Sequence, residues 1–342
     1  MGAQKFSTIT SALQTLYMAN LVPQINRSAV TLGLLPKRTS PGKDISWAVA
    51  TGTGKAGAKA DGADESSYRS DDKRGASLDY VIYTDPFQTS GFAKAAAANS
   101  GGPSPLSSLD LSDMMESTQR MAHGLNDAIF NGVGSTEMLG MTTSGGPVDD
   151  AGTYATIARG SVSQWQSTVD GNSSVNRPLS TDLMRSMRTS IYEASGLRPN
   201  LIVTSPAQFE NYGQLLDDKR RYVEQIQLDS RTIRLDAGFT ALSFDGIPVV
   251  MDADCPDGEM YFLNTNFLYL DVLPPVTDGV TWSQLAVSGT AEEQFNSVGT
   301  GLSLKVNKLS NAGDYTRYQS VVYCQLVNLR PNSCGLIEDL GT

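Results

Sequence analysis

The sequence is poor in the side chains on which catalysis and metal binding usually depend. It has a single histidine, His123, so a Ser-His-Asp or Cys-His site would have to use that residue. One histidine also excludes a multi-histidine metal site within the chain. His123 lies one position beyond an apolar helical stripe, which predicts a solvent-exposed helix residue.

Cysteine is scarce as well. Cys255, Cys324 and Cys334 are the only three, and no two of them have the spacing of a metal-binding or redox motif. The N-terminus lacks the basic and apolar pattern of a secretory signal peptide. The odd number of cysteines therefore predicts reduced, mostly buried thiols.

No run of 18 or more apolar residues occurs, so we expect no membrane-spanning helix and no membrane partner. The net charge of −10 makes broad binding of nucleic acid unfavourable. Residues 1–45 nevertheless carry five basic side chains and one acidic one, a net +4, which leaves −14 for the remainder. A basic N-terminal arm on an acidic body suits docking onto another copy, and the alternative is an ordinary fluctuation in charge.

The 26-residue segment Gly52–Ser77 contains almost nothing that could form a core. It has no Val, Ile, Leu, Met, Phe or Trp, and Tyr68 is its only large apolar side chain. Alternating residues on either side, Ile45–Val49 and Leu78–Ile82, predict the two strands of a long hairpin arm with a polar tip. A lone hairpin buries too little surface to offset its chain entropy, so we expect the arm to rest on another molecule.

Helical periodicity is clearest from Leu111 to Ile129, and Asn131-Gly132 predicts the end of this helix. About 20 residues would give a rod of roughly 30 Å. Farther along, Ser180 or Thr181 is expected to cap one helix and Ser205-Pro206 to begin another. The predicted strands are Leu201–Thr204, Ile247–Met251, Met260–Leu263, Phe267–Val272, 302–307 and Val321–Leu329, the last of them central in a sheet.

Motifs that could carry chemistry are weak. Gly52–Gly57 matches the Gly-x-Gly-x-x-Gly dinucleotide fingerprint, but no apolar helix pattern follows to receive a pyrophosphate. Asp252, Asp254 and Asp257 lack the spacing of a calcium loop and are interpreted as solvated turn carboxylates. Asp217–Arg221 is either a contact patch or a solvated helix end. We therefore expect no cofactor, no metal and no enzyme activity.

In their order, these elements resemble a tailed-bacteriophage major capsid protein, with an N-terminal arm, an extended hairpin, a spine helix, an α/β lobe and returning strands. The match in order covers nearly the whole chain. The segments that carry the resemblance are Ala128–Met141 (AIFNGVGSTEMLGM), Tyr154–Arg159 (YATIAR) with Trp165, Phe244–Met251 (FDGIPVVM) and Cys255–Leu263 (CPDGEMYFL).

The resemblance implies an α+β fold, the tailed-phage major capsid fold, with a long spine helix, a β-hairpin extended loop and a mixed α/β axial domain. At 342 residues the chain is long enough for two core-bearing domains. The expected division is an N-terminal arm at 1–45, an extended loop at 46–104, a peripheral domain at 105–134 and 275–342, and an axial domain at 135–274.

The resemblance also implies a function and partners. Members of the family form icosahedral heads of hexamers and pentamers that enclose double-stranded DNA, assembled in the cytoplasm of the bacterial host. The expected partners are other copies of the chain, a separate scaffolding protein, a portal, and packaged DNA in weak contact. The candidate intersubunit contacts are Trp47, Lys59, Tyr68, Arg69, Arg74 and Tyr80 in the arm, and Arg27, Lys37 and Arg38 before it.

Three questions stay open at this point. Some members of the family form an isopeptide cross-link between a lysine and an asparagine, and Lys55, Lys59, Lys73 and Asn332 match no motif for it. A cellular nanocompartment shell protein of the same fold is an alternative function. A nucleotide-dependent α/β enzyme built on Gly52–Gly57 is an alternative from another class.

Overall fold

The computed structural model describes residues 29–40, 42–51, 58, 61, 73–98, 109–216, 226–228, 231–233, 242–273, 304–309 and 313–341, and in these ranges the chain is α+β, as predicted. The helices are α1 (Val30–Leu34), α2 (Gly91–Ala98), α3 (Leu109–Asn131), α4 (Thr181–Ser195) and α5 (Pro206–Leu215). The strands are β1 (Lys37–Arg38), β2 (Asp44–Ala50), β3 (Lys73–Asp79), β4 (Val81–Ser90), β5 (Thr153–Tyr154), β6 (Ile157–Ala158), β7 (Thr168–Asp170), β8 (Leu201–Thr204), β9 (Ile226–Leu228), β10 (Arg231–Ile233), β11 (Leu242–Phe244), β12 (Ile247–Met251), β13 (Met260–Leu263), β14 (Leu268–Val272), β15 (Lys305–Leu309), β16 (Tyr315–Asn328) and β17 (Gly335–Ile337).

The spine helix α3 is an amphipathic rod of 23 residues. Leu125 and Ile129 on its inner side are fully buried, whereas Asp127 and Asn131 on the other side are exposed. The helix ends at Asn131, as the sequence predicts. Gly132 follows because the chain passes so close to its own return segment that a Cβ there would lie 2.2 Å from the Met138 carbonyl oxygen.

One sheet packs against the spine helix. Its strand order is β1-β14-β16-β15, and β4 pairs with the other edge of β16. Strand β16 is central, as predicted. Phe87 of β4 and Tyr318 of β16 stack with ring centroids 5.3 Å apart and pack against Met114 of the helix. The face of β4 that carries Phe87 is turned toward the spine helix, and the alternate residues of β4, on the opposite face, are exposed.

A second sheet has the order β11-β12-β8-β13-β17-β7 and is buried on both faces. Leu201 and Val203 of β8 join the core cluster that contains Leu125 of the spine helix. Ile202, between them, points into a separate cluster that contains Met187 of α4 and Phe209 of α5. Continuous apolar strands such as β8 arise from this two-sided burial.

The helices of this α/β lobe begin and end at the predicted signals. The Ser180 hydroxyl accepts a hydrogen bond from the Leu183 N–H, which caps α4. Gly196 ends the same helix with φ of +71°, in the left-handed conformation that glycine adopts without strain. Ser205 caps α5, and Pro206 occupies its first turn.

Two elements differ from the sequence analysis. The return strand of the arm is Lys73–Asp79 and not Leu78–Ile82, because Ala76 and Leu78 pack in the same apolar clusters as Trp47 and support a strand with few apolar residues. Val81 instead begins β4, which leaves the hairpin and pairs with β16. Strand β17 pairs with β13 in the second sheet, so residues 335–337 lie with the α/β lobe rather than with the spine-helix sheet.

Candidate self-assembly elements

Residues 29–40, which we call the strap, pack on the body of their own subunit. Leu32 and Leu35 are fully buried in the core beside the spine helix. Strand β1 pairs in parallel with β14, with Lys37 opposite Leu270. This part of the predicted N-terminal arm is therefore integral to the fold of its own chain.

The two strap residues predicted as intersubunit contacts also bond within the chain. The ammonium of Lys37 donates a hydrogen bond to the carbonyl oxygen of Leu32. The guanidinium of Arg38 lies 4.4 Å from the ring centroid of Tyr269 and donates to the Asn266 carbonyl oxygen at 3.0 Å. The Arg38 contacts hold the strap against β14 and its preceding turn, whereas the Lys37 bond stabilises the strap itself.

A buried polar hub joins the strap, the spine helix and the lobe. The Asn126 side-chain amide donates to Asp252 at 3.0 and 3.1 Å and to Asp254 at 2.7 Å. Its oxygen accepts from the Leu32 N–H at 2.9 Å. Asp252 also accepts from the N–H and the hydroxyl of Thr31, at 2.8 and 2.6 Å. The hub thus satisfies the first N–H groups of α1 and binds three parts of the chain together.

The hub corrects two sequence-based expectations. Asp252 and Asp254 are not solvated turn carboxylates but are buried, while Asp257 in the same turn is exposed. His123 is not fully exposed, since 31% of its side chain is accessible and its Nε2 lies 3.8 Å from Asp254 Oδ1. Sequence spacing alone could not show that α3 and the turn after β12 meet at these residues.

A second buried carboxylate holds both roots of the hairpin arm. Asp271 of β14 accepts hydrogen bonds from the N–H and the hydroxyl of Ser40, just before the arm. It also accepts from the Tyr80 hydroxyl at 2.7 Å, just after the arm. Burial, and then the bond to Asp271, raise the pKa of Tyr80. Tyr80 therefore serves its own subunit as an anchor at the root of the arm.

The paired strands of the arm rest on a platform formed by residues 153–165. Trp47 and Ala76 are cross-strand partners on the inner face of the hairpin. The Trp47 ring lies 6.4 Å from that of Trp165, which in turn lies 5.9 Å from Tyr154. Ile157 completes this cluster, so the strands have an apolar support in their own chain that the sequence did not reveal.

A strained turn bonds the arm to the platform. Ala155 and Thr156, the two residues between β5 and β6, have φ of +48° and +68°. The Ala155 carbonyl oxygen accepts from the Ser77 N–H at 3.2 Å, and the Thr156 hydroxyl donates to the Gly75 carbonyl oxygen at 3.3 Å. A β-branched residue rarely adopts positive φ, so these contacts with β3 help to hold the turn in place.

Arg159 fixes the platform from within. Its side chain is fully buried and donates to the carbonyl oxygens of Trp165 at 3.1 Å, Ala151 at 3.0 Å and Gly146 at 2.6 Å. Burial lowers the pKa of Arg159, and the nearby Asp149 opposes that shift. Arg159 lies within the YATIAR segment, but its residue type alone did not predict burial.

Of the remaining predicted intersubunit contacts, two residues pack on their own chain and four lie outside the described residues. Arg74 of β3 donates to the Ser161 hydroxyl of the platform at 3.1 Å. Trp47 is half-buried between the platform and the root of the arm. Arg27, Lys59, Tyr68 and Arg69 lie outside the described residues, as do Gly52–Gly57 and Asp217–Arg221.

All three cysteines lie among the described residues and are buried. Burial raises the pKa of all three cysteine thiols, that of Cys324 to about 12. In the ranges described above, no cluster of His, Cys, Asp and Glu could hold a metal ion. Across those same ranges, no helix is long and apolar enough to cross a membrane.

The comparison with known families decides the identity. A family model described as SU10 major capsid protein matches residues 37–341, which run from the first residue of β1 to four residues beyond the end of β17. The chain belongs to the SU10 major capsid protein family. It is therefore a structural subunit of a phage capsid and not an enzyme, as the order of its elements indicated. None of the curated proteins matches this sequence.

Solved structures show that this capsid subunit has the fold that the resemblance implied. The chain is similar to the capsid of cyanophage A-1(L), with 19% identity, a TM-score of 0.73 and coverage of 99% of this chain and 100% of that one. It is also similar to the capsid of the native GTA particle, with 11% identity, a TM-score of 0.63 and 99% coverage of both chains.

The nanocompartment alternative shares that fold. The holo-SrpI encapsulin complex of Synechococcus elongatus PCC 7942 matches with 8% identity, a TM-score of 0.59 and coverage of 99% of this chain and 96% of that one. Such low identity shows the common fold alone. The family match therefore favours the capsid subunit over the nanocompartment shell.

Proposed function

We propose that this capsid subunit assembles with copies of itself into a closed icosahedral shell of hexamers and pentamers, and that the tip of each arm lies on an adjacent subunit. The proposal rests on the difference between the two strands of the arm, which pack on their own subunit, and the tip that connects them, which has almost no apolar side chains. Strands β2 and β3 are anchored on their own body through Trp47 and Ala76. Residues 52–72, which connect their ends, have Tyr68 as their only large apolar side chain and cannot form a core.

The finer parts of the proposal follow from the family. The shell encloses double-stranded DNA that contacts the acidic subunit weakly, and assembly takes place in the host cytoplasm with a separate scaffolding protein and a portal. We also propose the division into arm, extended loop, peripheral domain and axial domain, with 335–337 assigned to the axial domain because β17 pairs with β13.

An isopeptide cross-link through Asn332 is not part of the proposal. Asn332 is buried, its amide donates to the Ala194 carbonyl oxygen at 3.2 Å, and its oxygen accepts from Arg330. A lysine from another subunit would have to displace these partners. Lys73, at the start of β3, is exposed, but Asn332 does not offer it an accessible acceptor.

Deleting the arm tip tests the proposal. A variant in which residues 52–72 are replaced by Asn-Gly keeps β2 and β3 and joins the paired residues Ala50 and Lys73 through the three-residue loop Thr51-Asn-Gly, with glycine at the last loop position. We expect the unassembled variant to unfold within about 2 °C of the parent chain, because the platform contacts are kept. Particle formation, measured by sedimentation and size-exclusion chromatography, should be lost or shifted to at least tenfold higher protein concentration.

A control variant separates the length of the tip from its sequence. It keeps 21 residues between Thr51 and Lys73 but replaces them with a Gly/Ser linker, which removes Tyr68 and the charged side chains. This variant should also fail to assemble. If either variant forms particles at the parental concentration, or if the deletion unfolds the subunit, the arm tip does not act between subunits.

A further inference from the structure

Residues 338–341, which follow β17 and which we call the latch, close one edge of the α/β lobe. Leu340 is buried in the apolar cluster beneath α4 and α5. Its N–H donates to the Gly258 carbonyl oxygen at 3.0 Å, and the Gly341 N–H donates to the Arg177 carbonyl oxygen at 2.8 Å. One apolar side chain and a small set of hydrogen bonds therefore fix this segment to the lobe.

Two polar side chains complete the attachment of the latch. Gln208 of α5 is fully buried, and its side-chain amide donates to the Gly341 carbonyl oxygen at 2.9 Å. Asp339 has φ of +58°, and its carboxylate accepts from the N–H groups of Asn172 and Ser174 at 2.7 and 2.9 Å. A residue other than glycine rarely adopts positive φ, so these bonds help to hold the latch in its closed conformation.

Two glutamates lie opposite each other where the latch begins. Met260 and Ile337 are partners in the antiparallel pair of β13 and β17, so Glu259 and Glu338, which adjoin that pair on the same side, are also opposite each other. A Cβ at Gly171 would lie 3.2 Å from Glu338 Oε2, which places this carboxylate over the continuation of β7. Like charges directly opposite on neighbouring strands repel each other.

The side chains around this pair do not neutralise it. In the part of the chain that the structure describes, neither Glu259 nor Glu338 forms an ion pair. Arg177, beside the latch, forms its ion pair with Asp170 at 3.0 Å. The other titratable groups that face the two glutamates are Asp149, Asp150 and Asp339 on the side of Glu338, and the Tyr261 hydroxyl and the Cys255 thiol on the side of Glu259.

Folding raises the pKa of both glutamates. Burial is the largest cause of the raised pKa of Glu259, the charge of Glu338 adds to it, and the hydrogen bond from the Tyr261 hydroxyl opposes it. Burial is also the largest cause at Glu338, followed by the charges of Asp339, Asp149 and Asp150.

The sign of the effect on stability follows from these raised pKa values. A carboxyl group with a raised pKa stabilises the folded state fully below its ordinary pKa near 4.5. That contribution is lost as the pH rises through the raised pKa, because the folded state must then hold a partly buried, repelled charge. The closed latch is therefore favoured at acid pH and weakened toward neutral pH.

We propose that residues 338–341 are a pH-controlled latch on the lobe of this capsid subunit, closed while Glu259 or Glu338 carries a proton and loosened when both are charged. Strand β17 remains paired with β13 on one side and β7 on the other, so the lobe stays folded when the latch opens. Opening withdraws Leu340 from its apolar cluster, so pH changes an apolar surface of the subunit.

Amide exchange in the full-length, unassembled subunit measures the latch directly. Protection of the Leu340 and Gly341 N–H groups, corrected for the intrinsic pH dependence of exchange, should fall at least about fivefold between about pH 5 and about pH 7.5. The Gly196 N–H, which donates to the Tyr192 carbonyl oxygen at the end of α4, is the internal reference and should change less than about twofold.

Matched variants assign the effect to the two glutamates. In the double variant Glu259→Gln and Glu338→Gln, which keeps an oxygen acceptor at each position, the pH effect on the latch should shrink to less than about twofold. Glu210→Gln makes the same change at an exposed position of α5 and should leave the effect of the parent chain intact. A parent chain without the fall in protection, or a fall that persists in the double variant, would overturn the proposal.

Thermal unfolding gives a second measurement in which the variant is expected to be the more stable protein. The double variant should melt at least about 3 °C above the parent chain at about pH 7.5, and within about 1 °C of it at about pH 4, where the glutamates of the parent are protonated. A double variant that melts at or below the parent temperature at about pH 7.5 would contradict the repulsion on which the latch depends.

Discussion

Replacing Arg159 by methionine should lower the free energy of unfolding of the unassembled subunit by about 4 kcal/mol. Methionine keeps an unbranched apolar chain but leaves the buried carbonyl oxygens of Gly146 and Trp165, and the partly buried one of Ala151, without their donor. Chemical denaturation followed by tryptophan fluorescence measures the change. Because Trp165 is part of the platform, its fluorescence should report the unfolding of the platform.

Two further variants make this result specific. Arg159→Lys should restore little of the loss, because one ammonium group cannot reproduce the planar fork that reaches three carbonyl oxygens. Arg185→Met, at a position where 64% of the side chain is exposed, should change stability by less than about 0.5 kcal/mol. A loss below about 1 kcal/mol for Arg159→Met would show that the platform does not depend on this arginine.

The second large effect is expected at Asp252. Asp252→Ala leaves the Thr31 N–H, the Thr31 hydroxyl and the Asn126 amide without their shared acceptor in a fully buried site. We expect a loss of about 3–5 kcal/mol and a melting temperature lower by on the order of 10 °C. Hydrogen exchange in residues 29–35 should accelerate most, because the strap loses its fastening to the lobe.

Asp257 supplies the control for this experiment. It lies in the same turn but is exposed, so Asp257→Ala should leave both the melting temperature and the exchange of the strap nearly unchanged. If Asp252→Ala behaves like Asp257→Ala, the hub does not hold the strap to the body.

The sequence predicted those elements whose signals are local. The spine helix ended at Asn131 because Gly132 follows it, and Ser180 and Ser205 cap the helices that they precede. Strands such as Leu201–Thr204 were predicted at their observed bounds because two-sided burial leaves a continuous apolar run. Periodicity and capping act over a few residues, so one sequence is enough to read them.

The contacts that organise the arm were not predictable in the same way. Asp252 and Asp271 look like ordinary turn or strand carboxylates, and only the fold brings Thr31, Ser40 and Tyr80 to them. These partners lie 191 to 231 residues away from their carboxylates along the chain, so no spacing rule connects them. That the arm acts in assembly stays a prediction from the sequence, and the platform on which its strands rest was not predicted.

A reconstruction of assembled particles by cryo-electron microscopy tests the central claim most directly. We predict closed shells in which residues 52–72 of each subunit lie on an adjacent subunit, while Trp47 stays packed against Trp165 of its own chain. Shells in which residues 52–72 contact only their own subunit would contradict the proposed role of the arm. Small oligomers without shells, under conditions where the subunit is folded, would contradict the proposed assembly itself.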